Sequence, residues 1–452
     1  MQFRIFLLFF TMASVTACGS STSSTFQCSA TTEKNFVLST ARDAYLFLDL
    51  LPANVNVSSY ATAADLLDTL TATARAQNKD RYFSYLTTAA AEQQFYAQGS
   101  AVGFGMGMTL RDSNLYITQV FAGSAAAAAG LLRGDEIIAI GTDANTLVTV
   151  ASLVATNELS NAFGPSLAGV QKTLRVVRQA GTPQDHTLTK GTFPIDPVPE
   201  YKLIERTGLP PIGYVNLRSF ISPAEEPLRN AFRAFKDAQV MDIIIDVRYN
   251  GGGLVTIAET LAELLSTGRA GQTMYSSRFN SRHTQDQSTV LFSEEADAIA
   301  GVNIAFITTS GTASASELVI NILEPYANIA LVGARTYGKP VGQYGFDQTG
   351  CDVRLRLVTF KHVNRDNEGD FYNGLPDTAF SDTFCPADDD VANPQGDPAE
   401  ASVSTAVQWI NNNTCPTAVA PRVKSMFATS GNAAYPMPTH PTLTQIHLPG
   451  TY

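Results

Sequence analysis

An alternation of strand-like and helical segments between residues 194 and 411 constrains the fold more than any other feature. The apolar runs "IGYVNL", "DIIIDV", "NIAFITT" and "NIALVG" alternate with the amphipathic stretches "EEPLRNAFRAFKDA", "VTIAETLAELL" and "ASELVINILEPY". Strands that alternate with helices predict a sheet covered by helices, and such folds place their sites at strand ends. We therefore predict an α/β domain whose functional residues lie in the loops after its strands.

The segment of residues 33–99 has a different pattern. Apolar residues recur three and four positions apart in "NFVLSTARDAYLFLDLL", "ATAADLLDTLTATARAQ" and "YLTTAAAEQQFYA". This spacing is typical of amphipathic helices. It predicts a small helical domain at the N-terminus.

Residues 100–192 change character again. A glycine-rich turn, "GFGMGMTL", precedes the alternating strand "NLYITQVF", and "SAAAAAGLLRGDEIIAIG" then predicts a short helix, a turn and a strand. This order resembles a PDZ domain of exported proteases, although a glycine-containing hairpin is the simpler alternative. The resemblance implies that Gly105, Met106, Gly107 and Met108 bind a peptide's terminal carboxylate while the peptide joins the sheet edge.

The beginning of the chain is typical of an export signal. Arg4 precedes the apolar residues 5–12, which are too few to span a bilayer, and small residues precede Cys18. "VTAC" resembles the bacterial lipobox, which predicts cleavage after residue 17 and a lipid on Cys18. Because Gly19 follows, we expect a lipoprotein of the bacterial cell envelope, on the outer membrane and facing the periplasm. An ordinary cleaved signal is the alternative.

Composition restricts the partners and the chemistry. The net charge of −11 argues against nucleic acid, which requires a basic face. Four cysteines besides Cys18 predict two disulfides in an oxidising compartment. Their positions favour Cys351–Cys385 and Cys28–Cys415, with the other two connectivities left open. The cysteines are too scattered for a zinc site, so we predict no metal and no cofactor.

Two turns at strand ends are candidates for catalysis. "GTASASE" places Ser314 where a strand becomes a helix, near unpaired N–H groups that favour an oxyanion. An ordinary capping serine is the alternative, because such turns use serine caps routinely. The glycines of "DVRYNGGG" let the backbone direct N–H groups into a cleft, or form only a tight turn.

Lys339 lies in "GARTYGKP", which nearly matches a phosphate-binding loop. Pro340 occupies the position where that loop needs a Ser or Thr hydroxyl for Mg²⁺. An exported protein also meets no ATP, so a nucleotide partner is not expected. Another role is therefore expected for Lys339, and burial of a lysine lowers its pKa toward the range of a general base.

These motifs, in this order, resemble the C-terminal processing (tail-specific) serine peptidases, with a PDZ domain inserted before a ClpP/crotonase-like core. The resemblance implies that Ser314 is the nucleophile, Lys339 the base and Gln343 the residue that orients the lysine. The N–H groups of Ala315 and Gly252, with Gly253 as the neighbouring alternative, would form the oxyanion hole. Implied substrates are polypeptides with free C-termini, and an adaptor or a second copy of the chain is left open as a further partner.

The predicted organisation follows from these segments. It comprises a signal peptide (1–17), a tether (18–32), a helical domain (33–99), a PDZ domain (100–192), a catalytic domain (193–412) and an irregular tail (413–452).

Three other functions stay open. "GGG" and Pro340 depart from the family pattern, which is compatible with a catalytically silent PDZ scaffold. A non-proteolytic acyl hydrolase would use the same core. A histidine triad is a third alternative, for which the chain offers His186, His283, His362, His440 and His447.

Overall fold

The computed structural model describes residues 28–179, 181–376, 380 and 382–416. The predicted signal peptide and Cys18 lie outside these residues, as do His440, His447 and the tail from residue 417 onward. Among the helices described, none is both long and apolar enough to cross a membrane.

The N-terminal region is mainly helical, as its spacing predicts. Its elements are α1 (Ala30–Ala44), α2 (Ala63–Ala76), β1 (Tyr85–Thr87) and α3 (Ala89–Glu92). Ser29 and Thr62 begin the first two helices with capping boxes, which satisfy N–H groups that a helix leaves unpaired. The third predicted helix begins instead as β1, because Tyr85 and its neighbours pair with a strand of the catalytic region.

Residues 100–194 form a sheet of their own with the order β3-β4-β5-β7-β8, and β6 also pairs with β5. A short ribbon, β2 with β9, joins its entry to its exit, so that Gly103 lies opposite Gly191. This arrangement marks an insertion between the flanking regions. The elements are β2 (Ser100–Gly103), β3 (Met106–Arg111), β4 (Asn114–Val120), α4 (Ala125–Ala128), β5 (Glu136–Gly141), β6 (Val148–Thr149), α5 (Val150–Ala155), α6 (Leu159–Ala162), β7 (Gln171–Val177), β8 (Gln184–Thr189) and β9 (Gly191–Pro194).

The following region is α/β, as predicted. Its elements are β10 (Glu200–Arg206), β11 (Leu209–Asn216), α7 (Glu225–Asp237), β12 (Asp242–Asp246), α8 (Val255–Leu264), β13 (Thr273–Phe279), β14 (Ser288–Leu291), β15 (Asn303–Thr308), α9 (Ala315–Leu323), β16 (Asn328–Gly333), β17 (Val341–Asp347), β18 (Arg354–Val363), β19 (Phe384–Pro386) and α10 (Ala401–Asn412). The four predicted strands are β11, β12, β15 and β16, and the three predicted helices are α7, α8 and α9.

The main sheet has the order β10-β11-β12-β15-β16-β19, with every pair parallel except β10 with β11. Side chains of α7, α8 and α9 form one apolar core with the sheet, and those of α10 form a second core that includes Trp409. The sheet is therefore covered on both faces, which explains why its strands are apolar throughout. The loops after β12 and β15 meet at one edge and carry the glycine and serine turns.

A second sheet joins the helical region to the catalytic region. It has the order β1-β18-β13-β14, and β17 also pairs with β18. Leu355 and Leu357 of β18 pack with Leu66 and Leu70 of α2 in one apolar cluster. The N-terminal region is thus attached to the strands that carry the residues after Lys339. Together the helical region and the α/β core confirm the predicted mixed α/β class.

The disulfides differ from the favoured prediction. Cys28 is bonded to Cys351 and Cys385 to Cys415. The predicted pairs Cys351–Cys385 and Cys28–Cys415 are wrong, because Cys351 lies in the turn between β17 and β18, close to the N-terminal region, whereas Cys385 lies in β19 beside α10.

Candidate active site

Ser314 lies in the turn between β15 and α9, immediately before the first residue of the helix. Its backbone has φ 57° and ψ −116°, a conformation that costs free energy for a non-glycine residue and persists only where contacts impose it. Those contacts are visible: the carbonyl of Asn250 accepts from Ala313 N at 3.0 Å and from Ser316 Oγ at 3.0 Å. The turn holds the half-buried Ser314 at the N-terminus of α9.

The glycine turn after β12 lies directly against Ser314. A Cβ on Gly252 would be 2.7 Å from Ser314 Cβ and 2.9 Å from the nitrogen of Ala315, so no larger residue fits there without movement. The buried Asn250 binds the turn internally, since its Oδ1 accepts from Gly252 N at 2.9 Å and its Nδ2 donates to the carbonyl of Leu217. Sequence reasoning did not single out Asn250.

The oxyanion donors differ from the prediction in one residue. Because Gly252 N–H already donates to Asn250, it is not available as predicted. The residues on either side of Gly253 form backbone hydrogen bonds with Phe220: Phe220 N donates to the carbonyl of Gly252, and Leu254 N donates to the carbonyl of Phe220. The N–H of Gly253 takes part in neither bond. Within the described part of the chain, the N–H groups of Gly253 and Ala315 donate to no hydrogen-bond acceptor. Gly253, the neighbouring alternative, replaces Gly252 in the candidate oxyanion hole.

Lys339 is buried between β16 and β17. Its Nζ donates to Oε1 of Gln343 at 2.7 Å and lies 5.2 Å from the centre of the Phe83 ring. Burial lowers the pKa of Lys339 to about 7, although the charges of Asp80 and Glu317 raise it in part. A substantial fraction of the amine is therefore neutral near physiological pH and can accept a proton.

Gln343 lies at the start of β17, four residues after Lys339. Its Nε2 donates to the backbone carbonyl of Phe83, so its Oε1 faces the lysine. An amide holds the amine without adding a charge that would raise its pKa. Phe83 belongs to the N-terminal helical region, which therefore contributes both a ring and a carbonyl to the site. The spacing of apolar residues in that region carried no signal of this contact.

Glu317, on the first turn of α9, connects the serine and lysine turns. Its Oε2 accepts from the backbone N–H groups of Ser314 at 2.9 Å and Lys339 at 2.8 Å. The backbone N–H groups of the two candidate catalytic residues thus share one carboxylate oxygen as their acceptor. Burial raises the pKa of Glu317, and its four hydrogen bonds oppose that effect.

Of the four residues predicted to bind a terminal carboxylate, Met106, Gly107 and Met108 lie in β3. Gly107 and Met108 are inside β3, paired with Gln119 and Ile117, so they do not form a loop. Gly105 does, with φ 77°, and a Cβ there would be 2.0 Å from Ser124 Cβ. The turn at residues 103–105 leads into β3, which is the edge strand of its sheet in the described structure.

No histidine in the described residues replaces Lys339. His186 lies in β8, and His283 bonds Asp43 and Asp286 at the surface. His362 Nδ1 lies 3.2 Å from Ser277 Oγ, and burial lowers the pKa of His362 to about 3, which makes it a weak base. The geometry disfavours the histidine-triad alternative.

Comparisons with known proteins agree with this geometry. Residues 211–378 match the model of peptidase family S41, and residues 32–85 match the peptidase S41 N-terminal domain. The chain is 27% identical over 267 residues to a carboxyl-terminal-processing protease of Synechocystis, covering 58% of each chain. It is 29% identical over 299 residues to the chloroplastic carboxyl-terminal-processing peptidase 1 of Arabidopsis thaliana, covering 60% of this chain and 55% of that protein. The chain thus spans little more than half the length of these curated relatives.

A solved structure extends the likeness to the fold. A Bacteroides fragilis protein assigned to the S41 proteases superposes with a TM-score of 0.63 at 23% identity, covering 84% of this chain and 97% of that chain. At this identity the match concerns the fold alone.

Proposed function

Because this chain belongs to peptidase family S41, we propose that it is a serine endopeptidase that cleaves polypeptides near their C-termini through Ser314 and Lys339. The observation that carries the proposal is the shared acceptor: Ser314 and Lys339 both donate backbone N–H groups to Oε2 of Glu317. Lys339 is buried, and its Nζ is held by an amide rather than a carboxylate. Such a lysine is a base, whereas one paired with a carboxylate stays protonated.

The proposed reaction has two steps. The neutral Nζ of Lys339 takes the proton of Ser314 Oγ as this oxygen attacks the scissile carbonyl carbon, and the N–H groups of Gly253 and Ala315 bind the oxyanion. The resulting ammonium returns its proton to the leaving amine, which breaks the C–N bond. Lys339 then deprotonates a water that hydrolyses the acyl-enzyme and restores the serine.

Substrate capture is proposed for the inserted region of residues 100–194. The turn at residues 103–105 would bind the terminal carboxylate, and the chain would add as a strand to the free edge of β3. The edge position of β3 and the positive φ of Gly105 support this proposal. Polypeptides with free C-termini are the substrates that such a site fits.

We also propose that the protein is exported and anchored by a lipid on Cys18, on the outer membrane of a bacterial envelope. The lipobox-like sequence before Cys18 supports the anchor. The two disulfides support an oxidising compartment, because disulfides are rare in reducing ones.

The test uses an unfolded reporter polypeptide with a free C-terminus and the same polypeptide ending in an amide. Ser314→Ala and Lys339→Ala should each abolish cleavage, whereas Ser310→Ala, an exposed serine in the same turn, should cleave normally. The amidated reporter should be cleaved more slowly if its carboxylate is captured. Full cleavage by both alanine variants would overturn the mechanism.

A catalytically silent scaffold and an acyl hydrolase are distinguished in the same experiment. A serine-reactive phosphonate should label Ser314 in the wild-type protein and not in Lys339→Ala. Absence of labelling in the wild type would favour the scaffold, and turnover of a peptide ester without cleavage of the reporter would favour the acyl hydrolase.

A further inference from the structure

Glu317 holds the segment that ends in Lys339 through the backbone N–H groups of Gly338 and Lys339. Besides the bonds already described, its Oε1 accepts from Gly338 N at 2.7 Å and from Thr336 Oγ1 at 2.5 Å. Thr336 Oγ1 itself accepts from Leu375 N, so its own proton is directed to the carboxylate. Glu317 therefore receives four donors, two on each oxygen, which is the arrangement an ionised carboxylate requires.

The opposite side of the same segment is held by Arg81. Its Nη2 donates to the carbonyl of Tyr337 at 2.6 Å and to that of Gly338 at 2.7 Å. Arg81 also lies over the Tyr337 ring, 4.2 Å from its centre. Gly338 thus has its N–H bound by the anion and its carbonyl bound by the cation.

Arg81 sits in a loop that is itself rigid. The buried Asp80 accepts from Phe83 N at 2.8 Å, Ser84 N at 3.1 Å and Tyr45 Oη at 2.9 Å. Ser84 Oγ accepts from Val358 N of β18, which fixes the loop against the second sheet. The loop that carries Arg81 also presents the Phe83 carbonyl to Gln343.

We propose that Glu317 and Arg81 are positioning residues that clamp the backbone of Tyr337–Lys339 from opposite sides and so aim Nζ of Lys339 at Ser314. The inference rests on the proposed function and assigns a part in it to the N-terminal helical region. One arm of the clamp extends from the nucleophile's own helix, and the other extends from a region about 250 residues earlier in the chain. Docking of the helical region is therefore a condition for an aligned base.

The test compares Glu317→Gln, Arg81→Lys and Arg81→Ala with Glu226→Gln and Arg42→Ala, which change exposed residues. Glu317→Gln keeps the size of the side chain but turns one acceptor into a donor that faces other donors. We expect its kcat to fall about 100-fold with KM within about twofold, since a misplacement near 1 Å costs that much. Arg81→Lys should retain more activity than Arg81→Ala, because an ammonium still donates to carbonyls.

The pH profile separates positioning from a merely structural role. The charge of Glu317 raises the pKa of Lys339, so Glu317→Gln should move the acid limb of kcat to lower pH. Arg81→Ala should lower kcat while the limb stays in place, because Arg81 acts on the backbone. A structural defect alone would reduce the fraction of Ser314 that the serine-reactive phosphonate labels, and it would leave the limb and the kcat per labelled site unchanged, whereas Arg81→Ala should lower the kcat per labelled site.

The outcomes are distinct. Should Glu317→Gln not fold, as judged by near-ultraviolet circular dichroism, the two Arg81 variants carry the test. Wild-type kcat in folded Glu317→Gln, or equal kcat in Arg81→Ala and wild type, would overturn the clamp while inactive Ser314→Ala left the peptidase intact. Activity of Ser314→Ala would instead refute the proposed function itself.

Discussion

Arg248 and Lys339 are two buried cations of the same catalytic region, and their surroundings differ in one respect. Arg248 is fully buried and donates through Nε to Asp246 at 3.0 Å and through both Nη atoms to Glu400 at 2.9 Å. Lys339 is buried almost as completely, but its Nζ donates to the amide of Gln343. The two cations are therefore similarly buried, but Arg248 is paired with carboxylates and Lys339 with a neutral amide.

The pKa values of the two residues respond accordingly. Burial alone lowers the pKa of Arg248, but Asp246 and Glu400 raise it well above its ordinary value. Burial lowers the pKa of Lys339 to about 7, and the more distant charges of Asp80 and Glu317 only partly oppose this. The comparison indicates that the partner decides whether the pKa of a buried cation lies above its ordinary value or near neutrality.

Removing the structural cation should have the largest effect. Arg248→Met would leave Asp246 and Glu400 buried without their partner, and we expect unfolding free energy to fall by about 3–5 kcal/mol. Urea unfolding followed by fluorescence measures this loss. Arg248→Lys should lose part of it, because an ammonium cannot bind both carboxylates in the same forked geometry. An unchanged midpoint would mean that the network does not stabilise the fold.

Giving Lys339 a carboxylate partner should raise its pKa, as the carboxylate partners of Arg248 do. In Gln343→Glu the added charge raises the pKa of Lys339 by about 1–3 units, so activity near pH 7 falls roughly 5–500-fold, in proportion to the neutral fraction of the amine. The wild-type acid limb should lie near the lysine's pKa of about 7, with activity lost as pH drops below it. In the variant this limb should move to higher pH.

The movement of the acid limb is the specific readout in Gln343→Glu. Loss of the bond from Gln343 to the Phe83 carbonyl would lower activity at every pH without moving the limb. Gln285→Glu, at an exposed position, is the control for added charge. A limb at the wild-type pH would contradict the role given to the amide.

Replacing the catalytic cation should stabilise the protein. The unfolded lysine has a pKa near ~10.4, above the folded value, so the unfolded state binds more protons between these values and stability rises with pH there. Lys339→Met removes this cost, and we expect a gain of about 1–3 kcal/mol near pH 7 after the unpaired Gln343 oxygen is counted.

The gain from Lys339→Met should shrink toward about pH 10.5, where the lysine is neutral in both states. Thermal unfolding of both proteins across this range measures the difference. A loss of stability at neutral pH, or a gain that does not depend on pH, would show that burying the Lys339 amine does not cost stability through its lowered pKa.

The smallest effect is expected for a cation at the surface. Lys361 pairs with the exposed Asp370 at 2.7 Å, and Lys361→Ala should change the unfolding free energy by less than about 0.5 kcal/mol. Urea unfolding under the conditions used for Arg248→Met provides the comparison. A change of several kcal/mol for Lys361→Ala would show that burial does not explain the larger effect expected for Arg248→Met.

The sequence predicts the parts of the fold that depend on local patterns. The apolar strands β12, β15 and β16, and the helices α8 and α9 that follow the first two, are predicted by hydrophobic periodicity. The order of Ser314, Lys339 and Gln343 follows from family motifs. The second sheet was not predicted, because β1 is a strand only through its pairing with β18. Its own residues carry a helical pattern.

Contacts between segments far apart in the sequence could not be predicted from these local patterns. Arg81 and Phe83 contact residues about 256–260 positions away, and nothing in their local sequence identifies the partner. The disulfide of Cys28 spans 323 residues, so its partner depends on how the regions dock. The hydrogen bond from Gly252 N to Asn250 Oδ1 depends on the side-chain conformation of Asn250, which the spacing of residues does not predict.

The ribbon of β2 and β9 has a consequence for engineering and for evolution. Because Gly103 and Gly191 face each other across two short strands, the residues between them can be exchanged as a cassette without changing the path of the chain on either side. A transplanted domain would have to preserve the contacts of the inserted region with the rest of the chain, among them the ion pairs of Arg111 and Arg133 with Asp389 and the hydrogen bond from Arg133 to Tyr249 Oη. Under the proposed function, substrate capture and cleavage would then diversify separately within one polypeptide.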